Sequence, residues 1–283
     1  MHESDISPLT RLVARLDGTF PDSAARDAIS TRRLPTHFGS LDRALGGGVR
    51  CGDLVILGGD VGAGCSALAL AMATRATTRA LVLSTEQSAD RLYERALASA
   101  ARVPLASLRF ATVSEDERMR LATAALSLRD RAPVVETLMH GGVEAVERAL
   151  DASPEAQLVI VDSLDGLVVR DHAMDEAMAY AVLALKRLAL SRNVVIVLTT
   201  HLPLLDRARR DRRPQLVDFG IRGAIGLHAD VVLGLYREEL YEADLGVAGA
   251  AELTLLKHRE GGTGYIDLYF DARYVEFSDL LDE

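Results

Sequence analysis

The segment Gly59-Asp60-Val61-Gly62-Ala63-Gly64-Cys65-Ser66 follows directly on the apolar run Asp53-Leu-Val-Ile-Leu-Gly58 and leads into a helix-forming stretch. Strand, glycine turn and helix are the parts of a phosphate-binding loop, G-x-x-x-x-G-K-[ST], in which backbone N–H groups wrap an anion at the helix N-terminus. Ser66 keeps the hydroxyl that faces a magnesium ion in such loops. Cys65 stands at the lysine position, so the fixed charge for the β and γ phosphates is missing. Taken alone, the segment reads equally well as a glycine turn with no ligand. A second piece of chemistry adds to it: Leu158-Val-Ile-Val-Asp162 is an apolar strand ending in an acid, the form of a Walker B strand whose carboxylate holds Mg²⁺ through Ser66 or water. Their order and separation favour a nucleotide site for ATP and Mg²⁺.

These groups need a scaffold that brings strand ends together. Runs at 53–58, 80–84, 158–162, 194–199 and 231–236 are continuously apolar and rich in β-branched residues, the mark of strands buried on both faces. Helical stretches at about 66–76, 88–102, 114–130, 143–152 and 174–191 lie between them, which predicts an α/β fold with a mostly parallel central sheet flanked by helices. Two late alternating runs, 252–257 and 265–270, predict a C-terminal β-hairpin around Gly261-Gly262. Residues 1–35 read as a separate helical arm, with Leu9, Leu12, Val13 and Leu16 at helical spacing over 8–17, and 36–283 as the main domain.

Composition narrows the function classes. The chain has 283 residues, 49% hydrophobic and 26% charged, with a formal charge of −9, which excludes a generally basic, histone-like binder. No apolar run reaches the roughly 18 residues of a membrane span, and the start is acidic where a secretory signal is basic, so the expectation is a soluble, cytoplasmic protein without membrane contact. Cys51 and Cys65 flank a strand and read as free thiols. Lys186 and Lys257 are the only lysines beside 30 arginines. Five of those arginines, Arg207, Arg209, Arg210, Arg212 and Arg213, fall within seven residues, a pattern suited either to phosphate contact on single-stranded DNA or to a solvated loop.

Further blocks resemble one family. Thr36-His-Phe-Gly-Ser-Leu-Asp42, Leu45-Gly-Gly-Gly48, Gly52-Asp-Leu54, Ser84-Thr-Glu86-Gln-Ser-Ala-Asp-Arg-Leu92, Leu185-Lys-Arg-Leu-Ala189, Gly223-Ala-Ile225, Ala229-Asp-Val-Val232 and Lys257-His-Arg259-Glu-Gly261 stand in the order found in DnaB-like replicative helicases. The resemblance covers about residues 34–280 and implies a RecA-like P-loop ATPase core acting in DNA replication. It implies Glu86 as the carboxylate that orients the attacking water and His201 in place of a sensor glutamine. It implies Lys257 and Arg259 as a finger reaching a neighbour's nucleotide in a head-to-tail homo-oligomer, ring or filament. The arginine run falls where the family has a loop facing the DNA channel.

The departures define two readings. Losing the P-loop lysine should cost at least roughly 10²-fold in rate, by analogy with removing one preorganised donor. Of the family's S-D-L-R-x-S-G-A-I-E-Q-D stretch Asp218 remains, but Gly220 replaces the arginine and Gly226, Leu227 and His228 replace the polar run. The first reading is a helicase-type ATPase that binds ATP and single-stranded DNA. The alternative is a catalytically reduced relative that senses nucleotide or acts as a scaffold without translocating. A small-molecule phosphotransferase ranks third, because nothing resembles a lid for a second substrate.

Overall fold

The computed structural model describes residues 32–129, 131–168, 174–242 and 247–280. The helix expected at 8–17 lies outside the described residues. In chain order the elements are β1 (Arg33–Leu34), α1 (Gly39–Ala44), β2 (Val49–Arg50), β3 (Leu54–Gly59), α2 (Cys65–Arg75), β4 (Ala80–Ser84), α3 (Ala89–Ala101), α4 (Leu105–Arg109) and α5 (Glu115–Arg129). They continue with β5 (Val134–Thr137), α6 (Gly142–Ala152), β6 (Leu158–Asp162), α7 (Leu164–Leu167), α8 (Met174–Arg192), β7 (Val195–His201), α9 (Ala224–His228), β8 (Val231–Tyr236), β9 (Ala250–His258), β10 (Gly264–Asp271) and β11 (Glu276–Asp279).

Nine strands form one sheet in the order β11-β10-β9-β8-β3-β7-β6-β4-β5. From β8 to β5 the neighbours are parallel, and β9, β10 and β11 add an antiparallel edge. β3 is central, between β7 and β8, and the chain leaves it for β4 on the far side of β7 and β6. A parallel sheet gathers its functional groups at the carboxyl ends of its strands, where such crossovers part. β1 and β2 form a separate antiparallel pair.

Successive side chains of a strand point to opposite faces, so a strand buried on both sides feeds two cores. Val55 and Leu57 of β3 join Leu68 and Met72 of α2 in one core, while Leu54 and Ile56 join Val182 and Leu185 of α8 in the other. α2 is buried continuously from Ala67 to Ala73, as its nearly all-apolar sequence requires. Its alanines let it lie close beneath the sheet, which fixes the turn at its N-terminus against the end of β3. A smaller cluster, Ala101, Val103 and Ala124, joins α3 to α5. Among the described residues no helix is long and apolar enough to cross a membrane.

The structure has the expected α/β fold with its C-terminal hairpin, and the five expected strands form with ends shifted by at most two residues. β1, β2, β5, β11 and the short helices α1, α4, α7 and α9 were not expected from the sequence.

Candidate nucleotide site

Strand register decides which groups meet. Gly59, the last residue of β3, is level with His201 on β7, and Ser84, the last of β4, is level with Asp162 on β6. The turn after β3 and the ends of β4, β6 and β7 therefore open into one pocket of about 290 Å³. Gly59, Gly62, Gly64, Cys65 and Ser66 line it from one side and Glu86 and Asp162 from the other. The pocket thus brings together most of the residues expected to handle ATP and Mg²⁺.

Two glycines are required by the geometry. Gly64 has φ +106°, a left-handed conformation that disfavours a side chain, and a Cβ there would sit 2.9 Å from the Phe277 ring. A Cβ on Gly59 would sit 2.9 Å from both Ala63 Cβ and Cys65 Sγ. The turn is clamped from outside as well: Arg237 donates to the Gly62 carbonyl at 3.1 Å, and Tyr241 donates its hydroxyl to Asp60 at 3.0 Å.

Ser66, in the first turn of α2, donates from Oγ to Asp162 Oδ1 at 2.8 Å, and Thr199 on β7 donates to the same oxygen at 2.6 Å. Burial raises the Asp162 pKa; the two hydroxyl hydrogen bonds oppose the shift and the nearby Glu86 charge adds to it. A carboxylate held under that strain favours a cation. Hydroxyl and carboxylate are a two-ligand set, and among the described residues no group of three His, Cys, Asp or Glu could hold a metal. This suits Mg²⁺, which commonly takes one or two protein ligands and fills its shell with phosphate and water. Glu86 is placed by Ser163, whose Oγ donates to Oε1 at 2.9 Å.

Cys65 occupies the lysine position with its thiol desolvated. Burial, reinforced by the Asp162 charge, pushes the thiol up to about 12, so it is neutral at ordinary pH. It neither attracts phosphate as lysine does nor repels it as a thiolate would. Both cysteines are free.

His201 lies at the rim, and its partner is one that sequence reading missed. Asp165 Oδ2 accepts from the His201 backbone N–H at 3.2 Å and lies 3.3 Å from Nδ1. The hydrogen bond to Asp165 raises the imidazole pKa, outweighing the effect of burial. The ring standing at the sensor glutamine's place is therefore shifted toward imidazolium.

The finger residues are elsewhere. Lys257 donates to the carbonyls of Gly226, at 2.8 Å, and Ala229, while Arg259 pairs with Asp230 at 2.8 Å. Asp230 also receives Lys186 and the Leu54 N–H. This cluster lies at the amino ends of β3 and β8, roughly 20 Å of strand away from the glycine turn.

The arginine run is largely neutralised within the chain. Arg207 pairs with Asp60, Arg209 makes a two-pronged contact with buried Asp218 at 3.0 and 2.9 Å, and Arg213 makes another with Glu252 at 2.6 Å. Arg212 stacks over Tyr241 at 5.1 Å, with Glu242 at 3.9 Å. Arg210 is exposed and makes no ion pair among the described residues. The partners of the bound arginines are remote in sequence or paired by local turns, which no composition rule reveals.

A RecA-like α/β core with a P-loop at the end of its central strand and a Walker B acid two strands away defines a class, the RecA-like ATPase domains. Within it, the family profile described as the DnaB-like helicase C terminal domain matches residues 33–279, and the chain belongs to that family. It is 29% identical to the replicative DNA helicase DnaB of Leifsonia xyli subsp. xyli over 98% of this chain and 62% of that protein. It is 26% identical to the replicative DNA helicase DnaB of Geobacillus stearothermophilus over 87% of this chain and 56% of that protein. It thus spans less than two thirds of the length of these relatives. A solved DnaB-like replicative helicase, described with its interactions with primase, shares the fold at a TM-score of 0.84 and 20% identity, covering 98% of this chain and 67% of that one.

Proposed function

We propose that this chain is a helicase-type ATPase domain that binds ATP with Mg²⁺ at Gly59–Ser66, contacts single-stranded DNA, and works in a head-to-tail homo-oligomer with hydrolysis slowed by Cys65. The observation that carries the reading is Ser66 donating to Asp162 at 2.8 Å beside a glycine turn shaped by close packing. In this reading the backbone N–H groups of the turn bind phosphate, and Ser66 and Asp162 hold Mg²⁺, which neutralises phosphate charge. Glu86, fixed by Ser163, orients water, while His201 stands where its ring can meet the outer phosphate.

Assembly is supported by position. Lys257 and Arg259 lie at the end of the sheet opposite their own glycine turn, so any nucleotide they reach belongs to a neighbour, and that requires a head-to-tail arrangement. DNA contact rests on Arg210 and Arg212, the arginines least committed to carboxylates within the chain.

One observation favours the reduced relative: a neutral thiol replaces the lysine charge. ATP turnover with and without single-stranded DNA, alongside a nucleotide-binding titration, separates the two. Turnover above background removes the scaffold reading, whereas binding without turnover supports it.

A further inference from the structure

Four aliphatic side chains lie open on the segments between β7 and β8. Leu204, Val217 and Leu227 are 60%, 67% and 68% exposed, and Leu216 joins them at 38%. They adjoin one another. The Leu204 N–H donates to the Asp218 carbonyl at 3.0 Å, and a Cβ on Gly220 would meet the Leu204 side chain at 3.2 Å. Leu216 lies over Gly226, where a Cβ would sit 3.5 Å from its side chain, and Leu227 follows directly. Single exposed leucines need no explanation, but adjoining ones mark a surface that meets another molecule. The sequence points the same way. In the S-D-L-R-x-S-G-A-I-E-Q-D stretch Val217 stands at the first serine, Gly220 at the arginine, Gly226 at the glutamate and Leu227 at the glutamine. Polar side chains have given way to aliphatic ones or to none.

The rim of this patch is cationic. Arg209 is anchored on Asp218, which sets the exposed Arg210, without an ion pair among the described residues, beside Val217. At the other end the half-exposed Arg259 donates to the Leu227 carbonyl at 3.4 Å. The buried acids near these arginines are already engaged, Asp218 by Arg209 and Asp230 by Lys186 and Arg259. Against them the loop carries the exposed Asp206, which accepts from the Ala208 N–H at 2.9 Å. A nucleic-acid strand laid across the patch would bring phosphates over leucines that offer them no hydrogen bond. An amphipathic helix, apolar along one stripe and acidic beside it, matches both the middle and the ends. We propose that this patch docks an acidic amphipathic helix of a partner protein, whose apolar stripe covers Leu204, Leu216, Val217 and Leu227 and whose carboxylates meet Arg210 and Arg259. The docking goes beyond the ATPase reading above and does not depend on nucleotide.

The probe is a labelled synthetic peptide of about 15 residues, with leucines at i, i+3, i+4 and i+7 and glutamates beside them, titrated into the full chain and read by anisotropy. One control peptide scrambles the leucine spacing, and another carries lysines for the glutamates. Wild type should bind the acidic amphipathic peptide at least about 10-fold more tightly than either control. The Val217→Ser, Leu227→Gln pair, surface changes that should leave the melting curve in place, should weaken it by roughly 10-fold. Arg210→Ala should weaken it less and lower its salt dependence. Equal binding of either control, or unchanged affinity in the Val217→Ser, Leu227→Gln chain, would overturn the proposal. If that chain keeps the peptide but loses a labelled oligothymidylate, the patch belongs to DNA; if it keeps the peptide but changes its assembly in native mass spectrometry, the patch belongs to a second copy. A wild type that binds no peptide also overturns the proposal, and binding that then appears in Leu12→Asp assigns the patch to the chain's own helix expected at 8–17. Should the paired variant melt early, Leu204→Gln alone is read by the same criteria.

Discussion

Arg207 donates from Nε to Oδ2 of Asp60 at 3.0 Å, joining the first arginine of the basic loop to the second residue of the glycine turn across 147 positions of sequence. Asp60 is held acidic: burial works against its ionisation, but hydrogen bonds from Arg207, Val61 and Tyr241 outweigh it. The glycine turn and the basic loop are therefore one connected piece.

Asp60→Ala should release Arg207 for phosphate contact. The expected result is tighter binding of a labelled single-stranded oligonucleotide, with a salt dependence steeper by roughly 0.7 in log–log slope, the share of one phosphate on a single strand. Anisotropy titrations at several salt concentrations measure this. A slope equal to wild type would leave Arg207 out of DNA contact.

The basic loop should divide into structural and functional arginines. Asp218 is buried, so Arg209→Ala strands a carboxylate and should cost about 3 kcal/mol in chemical denaturation. Arg210→Ala should leave stability within about 0.5 kcal/mol and flatten the salt slope instead. Equal behaviour of the two variants would return the whole loop to a solvated surface.

Asp53 gives a pH dependence. Burial, then the Asp230 charge, raises its carboxyl from 3.8 to about 6. The folded chain thus holds this proton more tightly than the unfolded one, so the contribution to stability is full below about pH 4 and is lost as pH rises toward 6. Asp53→Asn should flatten that fall and raise the melting temperature at pH 7.5 by about 2–4 °C, corresponding to about 1 kcal/mol after solvent screening. A lower melting temperature at pH 7.5 would mean that the ionised Asp53 pairing with Lys186, at 3.9 Å, matters more than its burial.

Assembly can be tested by mixing inactive subunits. Arg259→Ala leaves Asp230 paired with Lys186 and the Leu54 N–H, so it should fold. If wild type turns over ATP, mixing Arg259→Ala with Glu86→Gln should restore part of that turnover, because some interfaces then hold both groups intact. Mixed assemblies that native mass spectrometry shows to contain both subunits, yet stay inactive, would remove the finger role from Arg259.

The sequence made the scaffold legible because its central strands are buried on both faces and so written as unbroken apolar runs. β5 escaped notice because it is a half-buried edge strand, Val134-Val135-Glu136-Thr137, with a charge inside it. Gly59–Ser66 and Asp162 could be read because each is a local pattern. Asp165 and Thr199 could not, since their meaning depends on neighbours from other elements. Four arginines of the basic run looked free for the same reason, their partners being set by the fold.

The pocket also depends on the far end of the chain. Phe277 packs against Gly64, Arg75 donates to the Phe277 carbonyl at 2.6 Å, and Asp279 accepts from the backbone N–H groups of Gly39 and Ser40 at 2.6 and 3.1 Å. During synthesis the glycine turn is made early, and β11, which backs it, is the last of the described strands to follow. A growing chain therefore leaves the glycine turn without its backing ring until β11 has been made, so this early loop takes its final packing only late in synthesis.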